Sequence, residues 1–348
     1  MSNGSTVNIC ALDISKAFDK INAHCLLLKL MKRRIPINFI VIFERWFNSI
    51  FVKVRWGQSL SSFYRFLSGI RQGGILSPCL FSIYIDDVIS QIQDKKLGCF
   101  VHGLFCGIWL YADDIVLVSA SVTELQCMID ICVSEIQNID LSINVSKSKC
   151  VRIGRRYKIK LDHVKIGGCS IDWCDQIRYL GIFIVAGRNF KCNLHENKSN
   201  FFKAANCILS KVGTNNVAVL MSLVVTKCIS LLTYGLTSVS LKNYEKSKLD
   251  NCLDLFMAKV FGTYNKNILR QCLYYTGYLP ISLFVDLAKM RFMKSFENLS
   301  DVNSLLFYFF ADNNMNELNE LLYNYHVLEN DNNAVMKNKV WTFFAKTI

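Results

Sequence analysis

The chain has 348 residues, of which 52% are hydrophobic, 19% charged and only three proline. It is too long for a disulfide-stapled miniprotein and too apolar for a disordered chain, and its length suits two domains of about 150 residues each. A formal charge of +13 favours a polyanionic partner, while fifteen cysteines without one Cys-x-x-Cys pair suit a reducing compartment and imply no structural metal.

In chain order, the first apolar run is Val7 to Ile14, interrupted near its end by Asp13. Ala23 to Met31 predicts a helix, and Pro36 restarts one that reaches about Ile50. Val52, Val54 and Trp56 alternate with Lys53 and Arg55, which predicts a half-buried strand. Gly57-Gln58-Ser59 turns it into a second strand through Phe63 and Phe66. After Pro78, Leu80, Phe81, Tyr84, Val88 and Ile89 recur at helical spacing. Gly107 to Val118 reads as two apolar strands with Asp113 and Asp114 between them. Ser121-x-x-Glu124 is a capping-box pattern opening an amphipathic helix with Leu125, Met128, Ile129, Cys132, Val133 and Ile136 inward.

From about Asn193 the pattern turns mostly helical, so the domain division is placed there, 1–190 and 191–348. Val217 to Leu241 is the most apolar stretch; its Ser and Thr content, Lys227 and the preceding Gly213, Asn215 and Asn216 predict a buried core helix rather than a membrane span. No membrane partner is expected, and Met1 to Ser5 resembles no signal peptide. Charge divides unevenly. Lys147 to Lys211 holds fourteen Lys or Arg against four acids, with Tyr157, Trp173 and Tyr179 interleaved. Glu297 to Asp331 holds seven acids and no Lys or Arg. The basic stretch is either a solvated face or a nucleic-acid surface.

Three aspartates, Asp13, Asp113 and Asp114, stand out because they interrupt apolar strands. A surface turn can hold Asp-Asp at little cost. Strand ends that bring Asp13, Asp113 and Asp114 together would instead hold Mg²⁺, an oxygen-seeking ion that keeps waters for a phosphate to replace. A second Tyr-x-Asp-Asp, Tyr84-Ile85-Asp86-Asp87, lies on a helical pattern and reads as helix-end acids.

In its motifs the chain resembles the reverse transcriptase of a non-LTR (LINE-type) retrotransposon. Leu12-Asp13-Ile14-Ser15-Lys16-Ala17-Phe18-Asp19 is similar to the first palm motif, and Ser68-Gly69-Ile70-Arg71-Gln72-Gly73-Gly74 to the second. Tyr111-Ala112-Asp113-Asp114 matches the catalytic tetrad. Leu141 to Lys149 resembles the fourth motif and Ile177-Arg178-Tyr179-Leu180-Gly181 the fifth, the primer grip. A four-letter tetrad occurs by chance; five motifs in order, over residues 7 to about 185, do not.

The resemblance implies an α+β fold: a polymerase palm, an antiparallel sheet backed by helices, followed by a mostly helical thumb. It implies RNA-directed DNA synthesis with two Mg²⁺ ions (Mn²⁺ as substitute), an RNA template, a DNA primer and dNTPs. Asp13, Asp113, Asp114 and the carbonyl of Ile14 would hold the ions, and Lys147 would meet the departing pyrophosphate. Phe18, Arg71, Gln72, Gly73 and Tyr111 would contact the nucleotide, with Phe18 as steric gate against a 2′-hydroxyl; Leu180 and Gly181 would abut the primer. Read alone, Phe18 is a core residue, Gln72 and Gly73 a turn, Lys147 a solvated lysine and Leu180-Gly181 a tight turn.

Little sequence precedes the first motif, so the fingers and an endonuclease are expected from a longer polyprotein; nuclear or cytoplasmic residence is expected. The alternatives are a non-catalytic nucleic-acid-binding remnant, a group II intron maturase and, remotely, a membrane protein.

Overall fold

The computed structural model describes residues 5–66, 68–101, 103–296, 315–328 and 330–348. The chain forms two compact units, Met1–Lys191 and Cys192–Ile348.

The first unit is built on an antiparallel sheet of strands β1 (Val7–Ile14), β2 (Ile108–Tyr111), β3 (Asp114–Ser119) and β4 (Ile143–Ile153), in the order β4-β1-β3-β2. Period-two alternation divides its side chains between two faces. Cys10, Leu12, Ile14, Ile115, Leu117 and Cys150 belong to the large core, which they share with the helices. Those helices are α1 (Ala23–Lys32), α2 (Ile37–Asn48), α3 (Ser77–Ile85), α4 (Asp87–Asp94) and α5 (Val122–Asn138). Ile9, Val116, Val151 and Ile153 form a smaller core with Ile177. Ile177 belongs to a hairpin of Gln176–Tyr179 and Ile182–Val185. An antiparallel sheet backed by helices is the α+β arrangement expected.

Two local expectations change. Residues 51–65 form short paired ladders, Phe51–Val52 with Tyr64–Arg65 and Arg55–Trp56 with Ser59–Leu60, but the arm is not half-buried. Trp56 is 86% exposed and Phe63 68%, because no described element covers either side of so short a ribbon. At α5, Ser121 accepts a hydrogen bond from the Glu124 amide, but Glu124 does not close the box. Its carboxylate accepts from Ser119 Oγ instead (2.8 Å), and that hydroxyl in turn accepts from the Ser121 amide.

The second unit is helical: α6 (His195–Val212), α7 (Val217–Lys227), α8 (Ile229–Thr233), α9 (Asn243–Phe261), α10 (Lys266–Tyr275), α11 (Ile281–Phe296), α12 (315–324) and α13 (Asn333–Ala345). Phe201, Leu220, Leu253, Phe256, Met290 and Phe344 are among its core residues. In place of the single buried helix expected from Val217 to Leu241, the stretch is broken into α7, α8 and a 3₁₀ turn at Leu236–Ser238, because Gly235 takes the left-handed region (φ 74°) and ends the helical run. Among the described residues no helix is long and apolar enough to cross a membrane. Leu279 is buried, and the Ser282 amide and hydroxyl in the first turn of α11 both donate to the Asp250 carboxylate. Most of the acidic stretch 297–331 lies outside the described residues; of its described acids, Glu317 pairs with Lys289 (2.5 Å) and Asp331 with Lys339 (2.6 Å).

Candidate active site

The sheet register brings the first aspartate to the other two. In the pairing of β1 with β3, Asp13 lies directly opposite Asp114. Opposed residues of an antiparallel pair have Cα atoms about 4.5–5.5 Å apart and side chains on the same face. Asp113 occupies the two-residue turn between β2 and β3, where Tyr111 pairs with Asp114. Ala112 in that turn is in the left-handed region (φ 51°), a conformation a β-carbon disfavours by about 1 kcal/mol. Such turns match the twist of the flanking strands, which is why the sheet holds it there.

Burial, together with the negative charges of Asp113 and Asp13, pushes the Asp114 carboxyl above the usual aspartate range. Three acids thus lie within electrostatic reach of one another. The cation beside them is Lys147, whose Nζ is 3.5 Å from Asp13 Oδ2. As an oxygen-only set of clustered negative charge, the three fit a hard divalent cation in donor type and in charge. Their side chains are not closed on one point: among the described residues no three His, Cys, Asp or Glu are gathered tightly enough to enclose a metal.

Lys147 is presented by an irregularity in β4. Ala11 pairs with Lys149 and Asp13 with Asn144, so residues 145–148 arch out opposite Leu12 alone. Ser148, only 2% exposed, accepts a hydrogen bond from the Asp13 amide (3.3 Å) and donates one to the Asn144 carbonyl (2.8 Å). Sequence reasoning passed over Ser148: a serine among Ser146-Lys147-Ser148-Lys149 gives no sign of being buried. Tyr179, read from sequence as part of the fifth motif without a role of its own, has its phenol pushed up by burial and by the charge of Asp114. The hairpin that carries Tyr179 therefore comes close to the carboxylates. Leu180 and Gly181 form its turn, both in the left-handed region (φ 46° and 78°).

The second motif is stitched to the first. The Ile70 amide donates to the Phe18 carbonyl (2.8 Å), and the Gly69 amide to that of Ile21 (2.8 Å). Gly69 adopts φ 90°, and a β-carbon there would lie 2.6 Å from the Phe18 carbonyl oxygen. Gln72 Nε2 donates to Asp19 Oδ1 (3.1 Å). Gly73 has φ 78° with open space around it, and the exposed Arg71 accepts through its carbonyl from Ser77 Oγ. Phe18 is part-buried, its ring 4.9 Å from that of Phe81. Ile14 is buried in β1, so toward an ion it can offer only its carbonyl.

The second tetrad differs in kind. Tyr84 is wholly buried, donating to the Ile139 carbonyl (2.7 Å) and accepting from the Asn22 amide (3.3 Å), whereas Tyr111 is 64% exposed. Asp86 and Asp87, at the junction of α3 and α4, pair with Arg33 and Lys29. Both carboxylates are engaged by cations on neighbouring helix α1 and its C-terminal end.

An antiparallel sheet with aspartates from two strands and an intervening turn defines the palm class of polymerase. Residues 2–184 match the family described as reverse transcriptase (RNA-dependent DNA polymerase). The chain belongs to that family, and the LINE-type resemblance of its motifs is carried by its relatives. It is 28% identical over 192 residues to the Pol polyprotein of the type-1 retrotransposable element R2 of Nasonia vitripennis, covering 50% of this chain and 18% of that protein. It is 26% identical over 205 residues to the RNA-directed DNA polymerase from mobile element jockey of Drosophila funebris (55% and 21%). It is 26% identical over 220 residues to the uncharacterized 149 kDa protein of transposon TX1 of Xenopus laevis (60% and 16%). The chain thus spans about a fifth or less of these relatives. Among solved structures, telomerase from Candida tropicalis in complex with a TWJ fragment of telomeric RNA aligns with a TM-score of 0.41 at 11% identity, covering 88% of this chain and 49% of that one.

Proposed function

We propose that this chain carries the palm of a LINE-type RNA-directed DNA polymerase, which adds dNTPs to a DNA primer on an RNA template. The observation that supports this most is the register of Asp13 opposite Asp114, with Asp113 in the adjoining turn. Asp13 and Asp113 would be the main ligands for two Mg²⁺ ions, with Asp114 in support and the Ile14 carbonyl contributing to the shell. Bound there, the ions supply charge neutralisation and activation of the primer 3′-hydroxyl.

The remaining work belongs to the chain's own side chains. Lys147 stands beside Asp13, where its ammonium can neutralise or protonate the departing pyrophosphate. The Phe18 ring, backed by Phe81, excludes a 2′-hydroxyl from the sugar position. Arg71, Gln72 and Gly73 meet the nucleotide, with the Gln72 amide oriented by Asp19 and Gly73 leaving room for close approach. Tyr111 offers an exposed ring beside the turn. Leu180 and Gly181 abut the primer strand, on the hairpin whose Tyr179 senses the charge of Asp114. The helical second unit contacts product duplex through phosphates and groove shape, and the enzyme works in the nucleus or cytoplasm.

The test is metal-dependent extension of an oligo(dT) primer on poly(rA), with Asp113→Asn as control. Incorporation at least about a thousandfold above the variant is expected, since the chemistry rests on charge placement. Incorporation no greater than that of Asp113→Asn would leave the chain a nucleic-acid-binding remnant.

A further inference from the structure

From the arch in β4 we infer that Ser148 is a positioning residue, its hydroxyl fixing the strand segment that presents Asp13 and the lysine beside it. The inference rests on the metal-ligand reading of Asp13 given above.

The register of β1 against β4 is broken between Ala11 and Asp13, where four residues of β4 stand opposite one of β1. An interruption of this kind takes away the carbonyl that a regular ladder would offer to the Asp13 amide. An amide without a partner costs free energy when buried and loosens the strand when exposed. The Ser148 hydroxyl fills that place. It accepts from the Asp13 amide at 3.3 Å while its own proton goes to the Asn144 carbonyl at 2.8 Å. Acceptance and donation by one hydroxyl tie the base of the arch to the strand carrying Asp13. Ser146 Oγ adds a second stay, donating to Asn144 Oδ1 at 2.8 Å.

The arrangement has a consequence at both ends. Asp13 is held from one side by its pairing with Asp114 and from the other by Ser148, so its backbone has little freedom to turn its carboxylate away. At the crest of the arch, Lys147 is set 3.5 Å from that carboxylate. Ser148 is 2% exposed and reaches neither the carboxylate oxygens nor solvent, so it acts through Asp13 and not on substrate. Threonine keeps the hydroxyl that makes both bonds; alanine keeps the backbone and loses them.

The experiment measures Mn²⁺ binding to the full chain by electron paramagnetic resonance, beside primer extension over a range of metal concentrations and thermal melting. Ser148→Ala is expected to weaken Mn²⁺ binding about tenfold, the low end for a group that orients a ligand. Extension should shift to higher metal and recover in part at saturation, and Ser148→Thr should restore both. Should Ser148→Ala fail to fold, Ser148→Cys, with a weaker donor and acceptor of similar size, should give an intermediate shift. Wild-type Mn²⁺ affinity in Ser148→Ala, with Asp13→Asn deficient, would overturn the role of Ser148 alone. Equal binding by wild type and Asp13→Asn would overturn the metal-ligand reading beneath it. A lowered melting temperature with unchanged metal dependence would make Ser148 merely structural and also overturn the inference.

Discussion

Asp13 and Asp114 stand opposite each other on neighbouring antiparallel strands, close enough that the charge of Asp13 acts on the Asp114 carboxyl. With Asp113 in the adjoining turn, the fold concentrates negative charge where burial already disfavours it. A folded protein keeps such a cluster at a cost in stability, and a bound cation relieves it.

The pH dependence follows from the sign of that shift. The Asp114 carboxyl lies above its ordinary value of 3.8, so between that value and its folded value the native state holds more protons than the unfolded one. Its ionisation therefore destabilises the fold as pH rises through this window, and the penalty is complete once the pH is above the folded value. Asp114→Asn should melt at a higher temperature than wild type at pH 7, with the gain gone below the ordinary aspartate value. Millimolar Mg²⁺ should raise the wild-type melting temperature more than that of Asp13→Asn. Calorimetry over pH checks both; equal melting at pH 7 would mean the acids do not act on one another.

Gly69 and Gly73 share a left-handed backbone but not their surroundings. A β-carbon at Gly69 meets the Phe18 carbonyl at 2.6 Å, while one at Gly73 meets open space. Gly69→Ala should cost more than about 3 kcal/mol or prevent folding, and Gly73→Ala about 1 kcal/mol. Urea denaturation of the two variants separates collision from backbone preference.

In the proposed function Phe18 serves two purposes, as gate and as packing partner of Phe81. Phe18→Val should relax discrimination against ribonucleotides and, by loss of the Phe81 contact, lower stability by about 1–3 kcal/mol. Single-nucleotide incorporation of dNTP against rNTP measures the first effect. Unchanged discrimination with lowered stability would return Phe18 to the core.

Arg155, Arg156, Lys158 and Lys160 are exposed, and none takes part in the ion pairs formed among the described residues. Cations without acidic partners are free to neutralise phosphates. Affinity for nucleic acid should fall steeply with salt, and neutralising Arg155 and Arg156 should each reduce the slope of log K against log salt by about one. A slope that stays unchanged would place the nucleic acid elsewhere.

What the sequence determined by itself was the local order: strand, helix, hairpin and helix periods, the five motifs, and the different settings of two Tyr-x-Asp-Asp tetrads. Tyr84 and Tyr111 were separable because apolar residues at helical spacing surround one and apolar strands flank the other. Exposure of the arm from Phe51 to Tyr64 was not legible, since alternation reports a strand's two faces but not whether anything covers them. Only the tertiary structure decided that Asp13 meets Asp114, that β4 arches at 145–148, and that Ser148 rather than a ladder carbonyl receives the Asp13 amide. Such pairings join residues more than a hundred positions apart. They are fixed by strand register and by the need to satisfy every buried amide, and neither leaves a periodic trace along the chain.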